Sequence, residues 1–311
     1  MTEKAVELKG VHKAYNTGFT MKKVAALNGV DLVINRGEVF GYLGPNGSGK
    51  TTTMKLIMGI IRIDKGEIKI LSKSPNDTSI KEKIGFLPES PYFYDYLDAV
   101  EFLDFYARLF TIPKAIRRDR IMRLLKMVGL EKRAGEPLRR FSRGMLQRIG
   151  IAQALINDPE IVFFDEPMSG LDPLGRAEVK EIIQGLKRDG KTVIFSSHIL
   201  PDVEAIADRV GIIVNGKIKD VGELDKMLSK RVSFVEVTVF GFDKDKLDPL
   251  KGKAKIKRIL GDRTVLLVEG VENVDTVIDY IRFCEIGIES VEPIRMTLEE
   301  LFLSEIKGKS K

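Results

Sequence analysis

Gly44-Pro45-Asn46-Gly47-Ser48-Gly49-Lys50-Thr51-Thr52 decides how this chain is read, because it follows the apolar run 39–43 and opens the helical stretch 54–58. The spacing is G-x-x-x-x-G-K-[ST], in the strand, loop, helix setting that a phosphate-cradling loop requires. Glycines are needed there because side chains would keep backbone N–H groups from wrapping phosphate oxygens. The start of the following helix adds the positive end of its dipole. Lys50 brings a charge suited to β- and γ-phosphates, and the Thr51 hydroxyl suits a Mg²⁺ ion. Every residue from Gly44 to Thr52 is therefore a candidate nucleotide contact, and Lys50 is a candidate catalytic group as well.

Farther along, Ile161-Val162-Phe163-Phe164-Asp165-Glu166-Pro167 is an apolar strand ending in two adjacent carboxylates. Burial would hold the strand rigid while its tip carries charge. Asp165 suits holding Mg²⁺ through its water shell, and Glu166 suits orienting and deprotonating the water that attacks a γ-phosphate. The structural alternative is an acidic cap between strand and loop, which loses ground beside a phosphate loop.

Around these two signals, short β-branched runs at 6–8, 30–34, 39–43 and 67–71 make a strand-rich start. Apolar residues at helical spacing in 99–110 and 116–128 mark a helical section over about residues 90–150. Strands return at 161–164, 192–196 and 210–214, each a helix's length from the next, which is the alternation of a parallel α/β sheet. This first domain is expected to span residues 1–230. After Ser229-Lys230-Arg231, strands at 233–240, 255–260 and 264–269, a turn at Gly261-Asp262, an amphipathic helix at 274–283 and a strand at 289–294 predict a small α+β domain over 231–311. Its last helix opens with Thr297-Leu298-Glu299-Glu300, which has capping-box spacing.

Composition excludes disorder and collagen-like repetition, with 43% apolar and 31% charged residues, 12 Pro and 28 Gly. The one cysteine, Cys284, cannot form an internal disulfide, and the N-terminus lacks the apolar core of a secretory leader. No apolar run approaches the roughly 18 residues that span a bilayer. A cytoplasmic chain is expected, serving a membrane, if at all, from outside it. The net charge is only +6, yet between Lys114 and Arg148 twelve basic residues stand against three acidic ones. That stretch reads either as a solvated helix face or as a surface turned toward anionic lipid headgroups or nucleotide phosphates.

Between the two chemical signals lies Phe141-Ser142-Arg143-Gly144-Met145-Leu146-Gln147-Arg148, and beyond them lie Ser169-Gly170-Leu171-Asp172 and His198. Together with Phe86-Leu87-Pro88-Glu89 they follow the order phosphate loop, glutamine loop, signature, Walker B strand, D-loop, switch histidine. Over about residues 5–225 the chain resembles an ATP-binding cassette (ABC) ATPase. The resemblance implies a P-loop NTPase cassette of α/β class, with an antiparallel β subdomain and a helical subdomain ahead of the C-terminal domain. ATP and Mg²⁺ are the implied cofactors, and a head-to-tail homodimer with two composite sites is the implied assembly. Tyr15 then matches the aromatic that stacks on adenine, a plain loop tyrosine being the alternative. Ser142 and Gly144 match positions that close over the γ-phosphate bound by the opposite subunit. His198 matches a γ-phosphate sensor, against the alternative of a satisfied core histidine. Ser169 and Asp172 match the loop that couples the two sites, and Glu89 joins Thr51 and Asp165 as an implied metal ligand.

Two positions depart from the common pattern. Arg143 and Met145 replace the usual Gly and Gln of the signature, and Glu89 puts a carboxylate where many cassettes have an amide. Glu at this position resembles an exporter branch that moves drugs, polysaccharides and lipid-linked compounds, as does the terminal stretch 297–303. The implied function is ATP hydrolysis that drives export through integral membrane subunits on separate chains, from the cytoplasmic face and without nucleic acid. Two other classes compete. A soluble ABC ATPase acting on ribosomes or DNA would bring a second cassette or a long coiled-coil insertion, and a regulatory module with a vestigial site would not keep Lys50, Asp165, Glu166 and His198.

Eight of the 23 aromatic residues fall within 92–110. Phe102, Phe105 and Tyr106 share a helical face with Leu109 and are expected in the core. Tyr92, Phe93, Tyr94 and Tyr96 follow Pro91 in a predicted loop, where exposure is expected, as a groove for a short helix of the membrane partner.

Overall fold

The computed structural model describes residues 3–17, 22–229, 234–242, 244–294 and 297–307. It divides into two compact units, Met1–Leu224 and Asp225–Lys311. Lys230, Arg231 and Ser233, around which the sequence places the change of pattern, lie outside the described residues.

In the first unit, β1 (Lys4–Thr17) and β2 (Lys22–Asn35) pair antiparallel, and β3 (Val39–Leu43) runs through the phosphate loop into α1 (Lys50–Ile57). Strand β4 (Lys65–Ile70) returns to β1, and the short α2 (Thr78–Lys81) precedes β5 (Ile84–Leu87). The helical section comprises α3 (Ala99–Leu109), α4 (Lys114–Met127) and α5 (Arg143–Ala154). Then follow β6 (Ile161–Phe164), α6 (Pro173–Arg188), β7 (Thr192–Ser197), α7 (Leu200–Glu204), β8 (Arg209–Val214) and β9 (Lys217–Glu223).

Two sheets result, one of three strands in the order β2-β1-β4 and one of six in the order β5-β6-β7-β3-β8-β9. The six-stranded sheet is parallel except for β9, which closes one edge antiparallel to β8. Every residue of β3, β6 and β7 is buried, as expected of central parallel strands covered on both faces, which is why they read as continuous apolar runs. Edge strand β9 instead alternates half-buried and exposed residues and carries Lys217, Lys219, Asp220 and Glu223, charges that discourage further pairing. One core joins the sheets: Val6, Leu8, Val30 and Ile34 of the small sheet pack with Phe40, Tyr42, Met54 and Phe163.

The two N-terminal strands are 14 residues each, far longer than the runs 6–8 and 30–34 suggest. Their ladder continues through register shifts beyond Leu8, which break the alternation that a sequence reading relies on. Tyr15 consequently sits in β1 opposite Val24 and is no loop residue.

The aromatic stretch also corrects the expectation. Phe102 is fully buried, but Phe105 and Leu109 are exposed. Phe93 leaves the predicted exposed set: it is half-buried, its ring 5.5 Å from that of Phe102. Tyr92 and Tyr96 are exposed, at 79% and 67%, and Tyr94 packs edge-on against Phe105 between them. Helix α3 takes only Ala99, Phe102, Leu103 and Ala107 of its apolar side inward, and the exposed rings stack on one another. Its start is fixed by a capping box in which Asp98 and Glu101 each accept the other's backbone N–H.

Helix α8 (Leu224–Ser229) runs across the division between the units. In the second unit β10 (Phe234–Phe240), β11 (Ala254–Leu260), β12 (Arg263–Glu269) and β13 (Ile288–Ile294) form an antiparallel sheet in the order β11-β12-β10-β13. Helix α9 (Val274–Phe283) lays Val277 and Ile281 into a core with Val235, Val237, Leu266 and Val268. The expected capping box at α10 (Leu298–Lys307) is present: the Thr297 amide donates to Glu300 Oε2 at 2.9 Å and the Glu300 amide to Thr297 Oγ1 at 3.2 Å.

Candidate functional site

The phosphate loop turns at the tip of β3, where the parallel strands end, which is where open α/β sheets bind ligands. Gly49 has φ 110°, and a Cβ there would come within 2.7 Å of Leu27 Cδ2 and 2.8 Å of the Ala26 carbonyl. No other residue fits that backbone between the loop and β2. Beneath the loop, the Tyr42 hydroxyl meets Thr53 Oγ1 at 3.2 Å, and burial pushes the Tyr42 phenol far above its ordinary range, so it stays neutral.

A cleft of about 480 Å³ opens above the loop. Its walls contain Pro45, Asn46, Gly47, Ser48, Gly49, Lys50, Thr51 and Thr52 from the loop, Glu89, Glu166, Ser169 and His198 from elsewhere, and Ala26 of β2. Gly44 stands just behind, accepting a hydrogen bond from Lys50 Nζ at 2.7 Å. A second cleft of about 470 Å³ lies between the end of α4 and α6, but none of the phosphate-loop residues lines it. Volume does not choose between the two; donor chemistry does.

Three charged groups converge in the loop cleft. Lys50 Nζ lies 3.5 Å from Glu166 Oε1, and the other Glu166 oxygen accepts from His198 Nδ1 at 2.8 Å. Lys50 and Glu166 are both buried, whereas His198 is exposed to the cleft. Glu166 has φ 51°, a left-handed conformation that costs a non-glycine residue about 1–3 kcal/mol. It is held there by its amide, which donates to Ser196 Oγ at 2.8 Å. The same Ser196 hydroxyl donates to Asp165 Oδ1 at 2.6 Å. The left-handed turn ends β6 and separates two adjacent carboxylates onto different partners, Asp165 on Ser196 and Glu166 on His198 and Lys50.

The donor set fits a nucleotide with Mg²⁺. Ser48 Oγ is buried with no hydrogen-bond partner, a polar group suited to a phosphate oxygen. Thr51 and Glu89 line the cleft and offer only oxygen atoms, the ligands that Mg²⁺ takes, while Asp165 is buried outside the cleft wall with Oδ1 bonded to Ser196 and its other oxygen left to offer.

Other residues singled out in the sequence lie apart from the cleft. Ser142 is the N-cap of α5, accepting from the Met145 amide at 3.3 Å, and with Gly144 it lies outside the cleft walls. Asp172 caps α6 through the Gly175 amide at 2.9 Å. Tyr15 is 40% exposed, its ring 5.7 Å from Lys13 Nζ, and is not part of the cleft wall. Gly170 has φ 67°, and a Cβ there would collide with the Arg143 guanidinium. The signature's unusual arginine therefore packs on the loop 169–172. Sequence reading did not single out Ser196 or Ala26; a pair of serines closing the apolar strand β7 was the signal for the first, and nothing marked the second.

The fold and the cleft define a P-loop nucleotide-binding protein of α/β class. The sequence pattern of the ABC transporter family matches residues 27–169. An uncharacterised ABC transporter ATP-binding protein of Synechocystis sp. is 42% identical over 305 residues, covering 97% of this chain and 84% of that one. The lantibiotic transport ATP-binding protein of Streptococcus pyogenes is 37% identical over 213 residues, 68% of this chain and 88% of the relative. Among solved structures, a dimeric ATP-binding cassette in a post-hydrolysis state bound to ADP and Pi superposes with a TM-score of 0.64 at 30% identity, covering 70% of this chain and 98% of that one. The chain belongs to the ABC transporter ATP-binding proteins. It is an ATPase of that family, the ATP-binding subunit of a transporter. Among the described residues no helix is long and apolar enough to cross a membrane.

Proposed function

We propose that this subunit drives export, hydrolysing ATP at two composite sites of a head-to-tail homodimer docked on separate membrane chains at the cytoplasmic face. The observation that carries the catalytic part is the convergence of Lys50, Glu166 and His198 over the phosphate loop. Glu166 is the general base, held off the strand axis by its left-handed backbone and oriented by His198 and Lys50. Phosphoryl transfer asks little covalent help of a protein, so placing a water and charge is the task these residues can perform. Thr51 and Asp165, with Glu89 at the rim, would hold Mg²⁺. When bound, the ion neutralises charge on the β- and γ-phosphates.

Ser142 and Gly144 are the reason for a composite site. They sit at the N-terminus of α5 and are not among the residues that line the cleft, which supports a site completed by another chain. A second copy turned head to tail would bring its α5 N-terminus, the positive end of that helix, over this loop. Dimeric association of the structural relative supports this arrangement. Asp172 and Ser169 then lie on the loop between the two sites, with Arg143 bracing it. Tyr15, on β1 beside the strand that supplies Ala26, is the candidate for adenine stacking.

Export is supported by the lantibiotic transport relative and by the linearmycin resistance ATP-binding protein of Bacillus subtilis, 32% identical over 258 residues. The test is purification from membranes in mild detergent. A multi-span membrane chain is expected to co-purify. A chain that sediments with ribosomes, and that leaves membranes without a partner, would contradict the reading in favour of the soluble class.

A further inference from the structure

Helix α4 is the most basic element of the chain, and its outward face has no counterpart in the catalytic account. Lys114, Arg118, Met122 and Lys126 follow one i, i+4 row, and Ala115, Asp119, Arg123 and Met127 follow the adjacent row. All eight are exposed, and the buried Ile121 and Leu125, on the row next to Lys114 and Arg118, hold the helix in the core together with Leu124. Among the described residues no carboxylate forms an ion pair with Lys114, Arg118, Arg123 or Lys126. Arg123 only helps hold the Asp158 carboxyl below its ordinary range, a group already bonded to Lys191. Asp119 is the one acidic residue of α4 itself, and at the helix's C-terminal end Lys126 and Met127 share the wall of the second cleft with Glu178, Glu181 and Asp189.

Large apolar side chains stand among these cations: Ile116 is 45% exposed, Met122 37% and Met127 43%. We infer that this face of α4 rests on the headgroup layer of an anionic phospholipid bilayer. Lys and Arg reach lipid phosphates with their heads while their stems lie along the apolar boundary, and Met122, between Arg118 and Lys126 on the same row, is the apolar side chain placed to reach that depth with them. Single-stranded nucleic acid would share the charge but calls for aromatic platforms, and α4 has none. The inference goes beyond docking on a membrane chain, since it makes the lipid itself a partner.

The experiment uses the full chain and protein-free vesicles, so its outcome is independent of the export reading. Sedimentation with phosphatidylcholine vesicles is compared with sedimentation with mixed phosphatidylcholine and phosphatidylglycerol vesicles, in low and high salt. Binding is expected for the anionic vesicles only, and weaker in high salt. At roughly fivefold per neutralised charge, the combined variant Lys114→Gln, Arg118→Gln, Lys126→Gln is expected to lose on the order of a hundredfold in partition, with its ATPase activity in solution unchanged. Met122→Asp is expected to lower binding further than charge alone explains. Equal binding to both vesicle types, or undiminished binding by the triple variant, would overturn the inference. So would a single-stranded polynucleotide that competes the vesicles off at lower concentration.

Discussion

The Ser196 hydroxyl donates to Asp165 and accepts from the Glu166 amide, so a single side chain fixes both carboxylates at the tip of β6. Removing it leaves a strained Glu166 backbone without its partner and one charged acceptor short of a donor. Losing such a bond to a charged group is worth about 1.5–3 kcal/mol. Ser196→Ala is therefore expected to lower kcat about ten- to a hundredfold while ATP binding stays near the wild-type level; a parallel loss of ATP affinity would assign Ser196 to the loop's own stability instead. Glu89 offers a second test at this scale. As a charged rim group it attracts Mg²⁺ more strongly than an amide does, and Glu89→Gln is expected to raise the Mg²⁺ needed for half-maximal hydrolysis roughly fivefold, about 1 kcal/mol of lost attraction. An unchanged Mg²⁺ titration would remove Glu89 from the metal's surroundings.

Among the elements, we propose the loop and aromatic patch of α3 as the link to the membrane chain. Tyr92, Tyr94, Tyr96 and Phe105 stack edge to face on the surface, close in sequence to Glu89, and expose rings that a partner's helix can cover. Tyr92→Ala with Tyr94→Ala is expected to leave the isolated ATPase within about twofold of wild type and to abolish co-purification with the membrane subunits. Loss of folding, read by circular dichroism, would return these rings to a structural role. This patch was only half legible in the sequence. Helical spacing groups Phe102, Phe105, Tyr106 and Leu109, but periodicity cannot say how wide a stripe the neighbouring helices cover, and they cover Phe102 alone of the four completely. The parallel strands β3, β6 and β7 were legible because full burial writes an unbroken apolar run. The reach of β1 and β2 was not, since bulges interrupt alternation without ending pairing. In the site, loop glycines and paired carboxylates announce themselves through chemistry that few other folds need. The left-handed Glu166 and the Ser196 bridge arise from tertiary contact across β6 and β7, which no local pattern records.

For the molecule as a whole, the proposal turns on a separation: the phosphate loop, Glu166 and His198 line one cleft, while Ser142 and Gly144 lie outside its walls. In the proposed cycle two chains form each pair of sites, closed by ATP and reopened by hydrolysis. Glu166→Gln keeps the shape of the proposed base and removes its proton affinity, so hydrolysis is expected to fall by roughly 10² to 10⁴ while ATP still binds. The most direct measurement is the mass of this variant by size-exclusion chromatography with light scattering, with and without ATP and Mg²⁺. A dimer that accumulates only with ATP, and that is lost again when Ser142→Arg is added to the same chain, is the predicted result. A variant that remains monomeric in ATP, or one that turns ATP over at the wild-type rate, would contradict the account.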